Sequence, residues 1–307
     1  MDWFILSMVG PLLYAITNHI DKVMLESYFN EHGVVTLILF SSLLSAVGLP
    51  ILFLIDPTAL EVRLGSIAQM FVVGALNLLV LWAYLMALKD DEATVVIIYY
   101  ALVPVFGGVF GYLFLGESLE TKQLLAMAIV IIGTSLVSFE IGNGQKAAFR
   151  SNTVVFMLIA TVAWASEATI FKNVALEESV WSSVFWEHVA LVVFGITIVI
   201  FAPSHRARFL SVWTKNSGKV LALNGANEAL YMIGNVTVSY AMLLAPIAVI
   251  LLAQSFQPIF VFLLGVILTV FFPSVFSEKL GSASVLQKVT AILISGTGAY
   301  WLVLSTT

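Results

Sequence analysis

Ten long apolar segments divide this chain, near residues 3–24, 34–55, 67–88, 93–115, 122–140, 153–175, 180–201, 219–243, 247–272 and 285–305. A bilayer core of about 30 Å is crossed by roughly 20 apolar residues of helix, with 17–25 usual. Water could not accept so much apolar surface: 61% of the 307 residues are hydrophobic and 10% are charged, where a soluble domain has about 25% charged. The segments are continuously apolar and do not alternate with period two, so helices are expected and not a barrel. The chain therefore reads as an all-α integral membrane protein with ten transmembrane helices. The opening MDWFILSMVG has no basic stretch and no small-residue cleavage pattern, and is read as the first span.

The segments fall into two blocks of five. YAITNHIDKVMLE (14–26) recurs as WASEATIFKNVALE (164–177), which aligns Lys22 with Lys172. Tyr84 then matches Tyr240, and Pro104 in the fourth segment matches Pro258 in the ninth. The expected halves are 1–140 and 152–307, joined by the glycine-bearing stretch 141–151 (IGNGQKAAFRS). Because five is odd, tandem copies must cross the bilayer in opposite senses. The result is a pair of inverted five-helix repeats around a central cavity, an arrangement that recurs in secondary transporters. Two other stretches read as plainly aqueous, KDDE (89–92) and HRARFLSVWTKNSGK (205–219).

Ten spans in two halves resemble the EamA-type members of the drug/metabolite transporter superfamily. So do the prolines inside the fourth and ninth spans, and Glu117 (in LGESL) and Glu278 (in SEKLG) just after them. The resemblance covers the whole chain and implies a small-metabolite permease or exporter that works by alternating access. It carries over neither a substrate nor a set of ligating residues. The connection FFPSVFSEKLG is longer than its counterpart, which weakens the pairing of Glu278 with Glu117.

Charged groups at membrane depth cost roughly 2.5–3.5 kcal/mol on insertion scales, so they usually face a cavity or a partner. In the eighth segment Asn224, Asn227, Glu228, Tyr231 and Asn235 lie at offsets of 0, 3, 4, 7 and 11, on one helical face. They line a pathway, or the asparagines glue helices together. In the first segment Tyr14 and Asn18 are deep pathway candidates. Asp21 and Lys22 lie near the segment's end, where reaching the interface is cheap, and are read as structural. Trp164 and Glu167 share a face of the sixth segment with Phe171. Glu167 is placed to exchange a proton, or it pairs with a buried cation such as Lys172 or His188.

His188 in the seventh segment is a relay candidate or a hydrogen-bonded core residue. Its neighbour Glu187 points about 100° away around the helix. Asn77 and Tyr84 share a face of the third segment, Tyr100 precedes Pro104, and Gln254 and Gln257 precede Pro258. The two prolines remove backbone donors at matching places, where broken helices expose carbonyls in transporters. Glu167, Glu187 and Glu228 all fall in the second half, so the chemistry is expected there. Small residues Gly107 and Gly111, and Ala291, Ser295 and Ala299, allow close packing within the chain.

Ten Lys and Arg residues fall on the side of the odd-to-even connections: Lys22, Lys89, Lys146, Arg150, Arg206, Arg208, Lys215, Lys219, Lys279 and Lys288. Arg63 and Lys122 alone fall on the side of the termini. Positive charge favours the cytoplasm, so both termini are expected outside it; the family resemblance implies the reverse. The expected setting is a multi-pass protein of the plasma or inner membrane, monomer or homodimer, with a small-molecule substrate and optionally H⁺ as partners. The net charge of −5 offers no basic patch for nucleic acid, and the absence of cysteine excludes thiolate metal sites. No cofactor or metal is expected, nor a phosphate-binding GxxxxGK[ST] loop. A rival reading, an intramembrane enzyme acting on a lipid or prenyl group, has as its hook the acids of KDDEA (89–93) as Mg²⁺ ligands. It lacks the second acidic cluster that two-metal chemistry needs, and the chain is read as a non-enzyme.

Overall fold

The structure is a computed structural model that describes residues 2–29, 33–115, 120–140, 148–244, 254, 256–276 and 278–304. Helices dominate. We label them α1 (Asp2–Ser27), α2 (Val34–Leu44), α3 (Leu49–Ile55), α4 (Leu64–Asp90), α5 (Ala93–Ile98), α6 (Val103–Leu115), α7 (Thr121–Ser135), α8 (Ser151–Glu177), α9 (Val180–Phe201), α10 (Pro203–Leu244), α11 (Gln257–Phe271) and α12 (Ser282–Leu304). Among the described residues, six helical runs are long and apolar enough to cross a membrane: Val34–Ile55, Leu64–Asp90, Ala93–Phe110, Thr121–Ser138, Ser151–Glu177 and Val180–Phe201. α11 is apolar but shorter, and the front of the expected ninth span (247–253) lies outside the described residues.

Three features depart from the sequence expectation. The second span is interrupted: α2 passes through a 3₁₀ turn at Ser45–Val47 before α3 begins. Gly48 and Pro50 account for the break, since a proline tolerates the first turn of a helix but not its interior. The stretch 205–219 is not a loop but part of α10, which runs 42 residues, about 63 Å at 1.5 Å per residue and about twice a bilayer core. Good helix formers (Ala207, Leu210, Arg206, Arg208) sustain it, and Phe209 packs at a tilt against Phe40 of α2 with ring centroids 4.5 Å apart. Finally, the chain is not purely helical. Phe139–Glu140 pairs antiparallel with Ala148–Phe149, closing the connection between the halves, whose residues 141–147 lie outside the described set.

The fourth span changes to a 3₁₀ turn at Tyr99–Leu102, directly before Pro104, which cannot donate to the Tyr100 carbonyl. α11 starts at Gln257 with Pro258 in its first turn. Helix packing is tightest where side chains are smallest: a Cβ on Gly133 of α7 would lie 2.5 Å from the Ser295 backbone nitrogen of α12. One on Gly298 would lie 2.8 Å from the Val130 nitrogen. The Ala291, Ser295 and Ala299 face is thus buried inside the chain, against α7. The outside carries Leu54, Ile132, Ile200, Leu263, Ile267 and Leu293 in the open, a surface matched to acyl chains and not to water.

Candidate functional site

A cavity of about 140 Å³ lies between α1, α2, α4, α8, α9, α10 and the start of α11. Tyr14, Asn18, Asn77, Tyr84, Tyr100, Trp164, Glu167, Asn227, Glu228, Tyr231, Asn235 and Gln257 all line it. Three residues singled out in the sequence do not. His188 points its Nδ1 at the Val184 carbonyl one turn back (2.8 Å). Asn224 donates to the Val220 carbonyl (3.2 Å), and Gln254 is buried away from the cavity.

One end of the cavity is built around Asp21. Although it sits near the end of its segment, Asp21 is only 6% exposed, because α4 and α10 close over it. The Tyr84 hydroxyl donates to Oδ2 (3.2 Å) and the Asn227 amide to Oδ1 (2.8 Å). Behind Tyr84, Asn18 donates to the phenol oxygen (2.9 Å), and Gln257 donates to Asn18 Oδ1 (2.8 Å). Every donor in this relay points towards the carboxylate. Lys22 turns the other way, to the Leu88 and Asp91 carbonyls at 2.7 and 2.9 Å and to Glu26 at 3.2 Å. Asp21 is legible in the sequence only as a residue near a helix end; nothing there says that two other helices cover it.

The remaining acids lie on the cavity wall or just behind it. Glu228 accepts from Ser45 (2.6 Å), the residue at the break in the second span. Glu167 lies on the cavity wall. Glu187 stands behind the wall, held by the amides of Asn77 (3.0 Å) and Asn235 (3.2 Å). Asn77 also donates to the Tyr231 hydroxyl (2.7 Å). Aromatic rings fill the sides: Tyr14 faces Tyr231 at 5.6 Å, and Tyr100 meets Trp164 edge to face at 4.7 Å. Among the described residues no lysine or arginine lines the cavity, and no group of three or more metal-ligating side chains occurs.

Ionic clusters close the ends of the helix bundle. The buried Lys288 of α12 bridges Glu92, before α5, at 2.5 Å and Glu278, before α12, at 3.0 Å. Asp91 pairs with Arg150 at 3.2 Å and accepts from Thr153, and Asp90 accepts from Asn152. The acids of the 89–93 stretch are thus engaged with protein partners. Elsewhere Arg63 holds Glu177 and Glu178 at 2.5 and 2.9 Å. The Ser66 hydroxyl and Arg63 keep Glu178 below the usual glutamate range. Asp56 is likewise held low, chiefly by the Thr58 hydroxyl; burial opposes this, and Ser179 and Ser182 add to the lowering.

Residues 1–139 match the EamA-like transporter family. Protein LicB of Haemophilus influenzae is 33% identical over 78 residues, 24% of this chain and 26% of that protein, so the chain matches about a quarter of that relative's length. A solved crystal structure superimposes over 96% of each chain with a TM-score of 0.49 at 14% identity, a likeness too remote to bear on function. The membrane-length helices, together with the match of residues 1–139 to a transporter family, mark the chain as a multi-pass membrane protein.

Proposed function

We propose that this chain is a secondary transporter that carries a small polar or amphipathic metabolite by alternating access, driven by a proton gradient or by exchange. Residues 1–140 and 152–307 act as inverted five-helix repeats of a ten-span protein, and the polar cavity is the translocation site. The observation that carries the reading is the cavity itself, enclosed by helices of both halves and lined by hydrogen-bonding side chains at membrane depth. Helix neighbours support the repeat, because they survive exchange of the halves. α4 packs on α8 as α10 packs on α1; α4 packs on α9 as α10 packs on α2; α6 packs on α8 as α11 packs on α1. Three pairs map onto themselves: α2 with α9, α5 with α11, and α7 with α12.

Flux in proteoliposomes tests the reading. Glu228→Gln or Glu167→Gln is expected to abolish gradient-driven uptake, and unchanged transport in both variants would sink the proton coupling. The bias of Lys and Arg favours both termini outside the cytoplasm, where the family resemblance implies the reverse. A C-terminal reporter active only in the cytoplasm should then stay silent, and a bright reporter reverses the orientation.

A further inference from the structure

We propose that the cavity selects a small organic cation that bears a protonated amine. This names the substrate class of the site above, and it rests on the transporter reading only for the movement of the bound cation across the membrane. The first observation is charge: Asp21, Glu167 and Glu228 line the cavity with no lysine or arginine among the described lining residues, and Lys22 is engaged elsewhere. An acidic cluster alone would not make a site, and the second observation is independent of it. The Asn227 and Gln257 side chains are each more than nine-tenths buried and line the cavity, yet Asn227 Oδ1 and Gln257 Oε1 have no hydrogen-bond partner.

The orientation of those amides is a matter of chemistry. Asn227 must aim its NH₂ at the carboxylate of Asp21, which can only accept when ionised. Gln257 spends its NH₂ on Asn18, which in turn donates onwards through Tyr84 to Asp21. The relay uses its donors internally and leaves the carbonyl oxygens of Asn227 and Gln257 unmet. Two buried carbonyl oxygens without partners, on side chains that line a cavity with a carboxylate, call for a ligand rich in N–H donors, because a buried acceptor left unmet is costly. An anion would instead meet the carboxylates of Asp21, Glu167 and Glu228, with no lysine or arginine among the described lining residues.

The walls fit the rest of such a ligand. Tyr14, Tyr231, Tyr100 and Trp164 present ring faces and edges around the cavity, and a cation near an aromatic face gains about 0.5–2 kcal/mol of attraction. Size sets a limit as well: the volume of about 140 Å³ is close to that of an apolar cavity of roughly 150 Å³ that takes up benzene.

Thermal-shift titration of the full chain in detergent tests this with four probes of similar size: tert-butylammonium, tetramethylammonium, tert-butanol and pivalate. The ammonium with N–H donors is expected to stabilise most and tetramethylammonium less, with no shift from the neutral or anionic probe. Equal or greater stabilisation by tert-butanol or pivalate overturns the proposal, as does the absence of a shift with both cations. Asp21→Asn should weaken tert-butylammonium at least about tenfold, about 1.4 kcal/mol at 25 °C; if it leaves the affinity unchanged, Asp21 is not the anchor and the proposal fails. Should that variant not fold, the wild-type probe series still decides. Proteoliposome flux separates the two readings. Cation binding without flux overturns the transporter and keeps this site, whereas flux of pivalate with no ammonium binding does the opposite.

Discussion

Asn77 serves two helices with one amide, donating to Glu187 on α9 and to Tyr231 on α10. Asn77→Ala leaves Glu187 with one amide fewer in a buried setting, which should cost about 1–3 kcal/mol. Thermal unfolding measures that, and the same variant should lose flux because Tyr231 is released into the cavity. Asp56 makes a pH prediction. Its carboxylate is held below the usual range by hydroxyl donors, so the folded state binds its proton less readily than the unfolded chain does. The stabilisation is present above the unfolded value of about 3.9 and is lost as pH falls through the lower folded value. Asp56→Asn should therefore flatten the acid limb of stability below about pH 4, and an unchanged limb would show that Asp56 contributes nothing there. At this scale the sequence announces the asparagines, tyrosines and Glu228, because 3.6-residue spacing puts them on one face. It does not announce Asp21 as a wall residue, since burial near the end of a helix is created by neighbouring helices and has no local signature.

Elements differ in how openly they are written. The 3₁₀ turn at Tyr99–Leu102 and the start of α11 at Gln257 go with Pro104 and Pro258, and the sequence leads one to expect an irregularity at both prolines. The break at Ser45 is not legible in the same way, although Gly48 and Pro50 are its cause, because the segment stays apolar throughout. That break places Ser45 where it meets Glu228. The contact of α7 with α12 yields a sharp test. Gly133→Ala puts a methyl group against the Ser295 backbone and should cost about 1–3 kcal/mol by overpacking. Gly65→Ala, where a Cβ meets nothing within 4 Å, should change stability by less than about 1 kcal/mol and with a favourable sign in a helix. Equal effects of the two substitutions on the melting temperature would refute the close-packing account.

For the molecule as a whole, the cluster of Lys288, Glu92 and Glu278 joins three parts of the chain that are distant in sequence or separated by a turn. Removing a single buried partner strands the opposite charge, a loss of about 3–5 kcal/mol. Lys288→Met should thus destabilise strongly, and adding Glu92→Gln and Glu278→Gln to it should recover most of the loss. A triple variant as unstable as the single one would show that packing, and not charge, holds this end of the bundle. By sequence Lys288 counts among the cations of one membrane face, but its side chain is 1% exposed. Its role as an internal bridge emerges only when α12 is placed beside α5.

The sequence by itself determined the membrane setting, the predominance of helix and most of the polar groups that line the cavity. Each of these is a local property, set by apolar run length, helical periodicity or the missing donor of a proline. Only the tertiary structure decided which polar groups meet. It brought Asp21 of the first half into one cavity with Glu167 and Glu228 of the second, so the acids are shared between the halves. It left His188, Asn224 and Gln254 outside that cavity. The reason is physical: a side chain's depth along its helix is encoded locally, but the neighbour it faces depends on how helices far apart in the chain pack together.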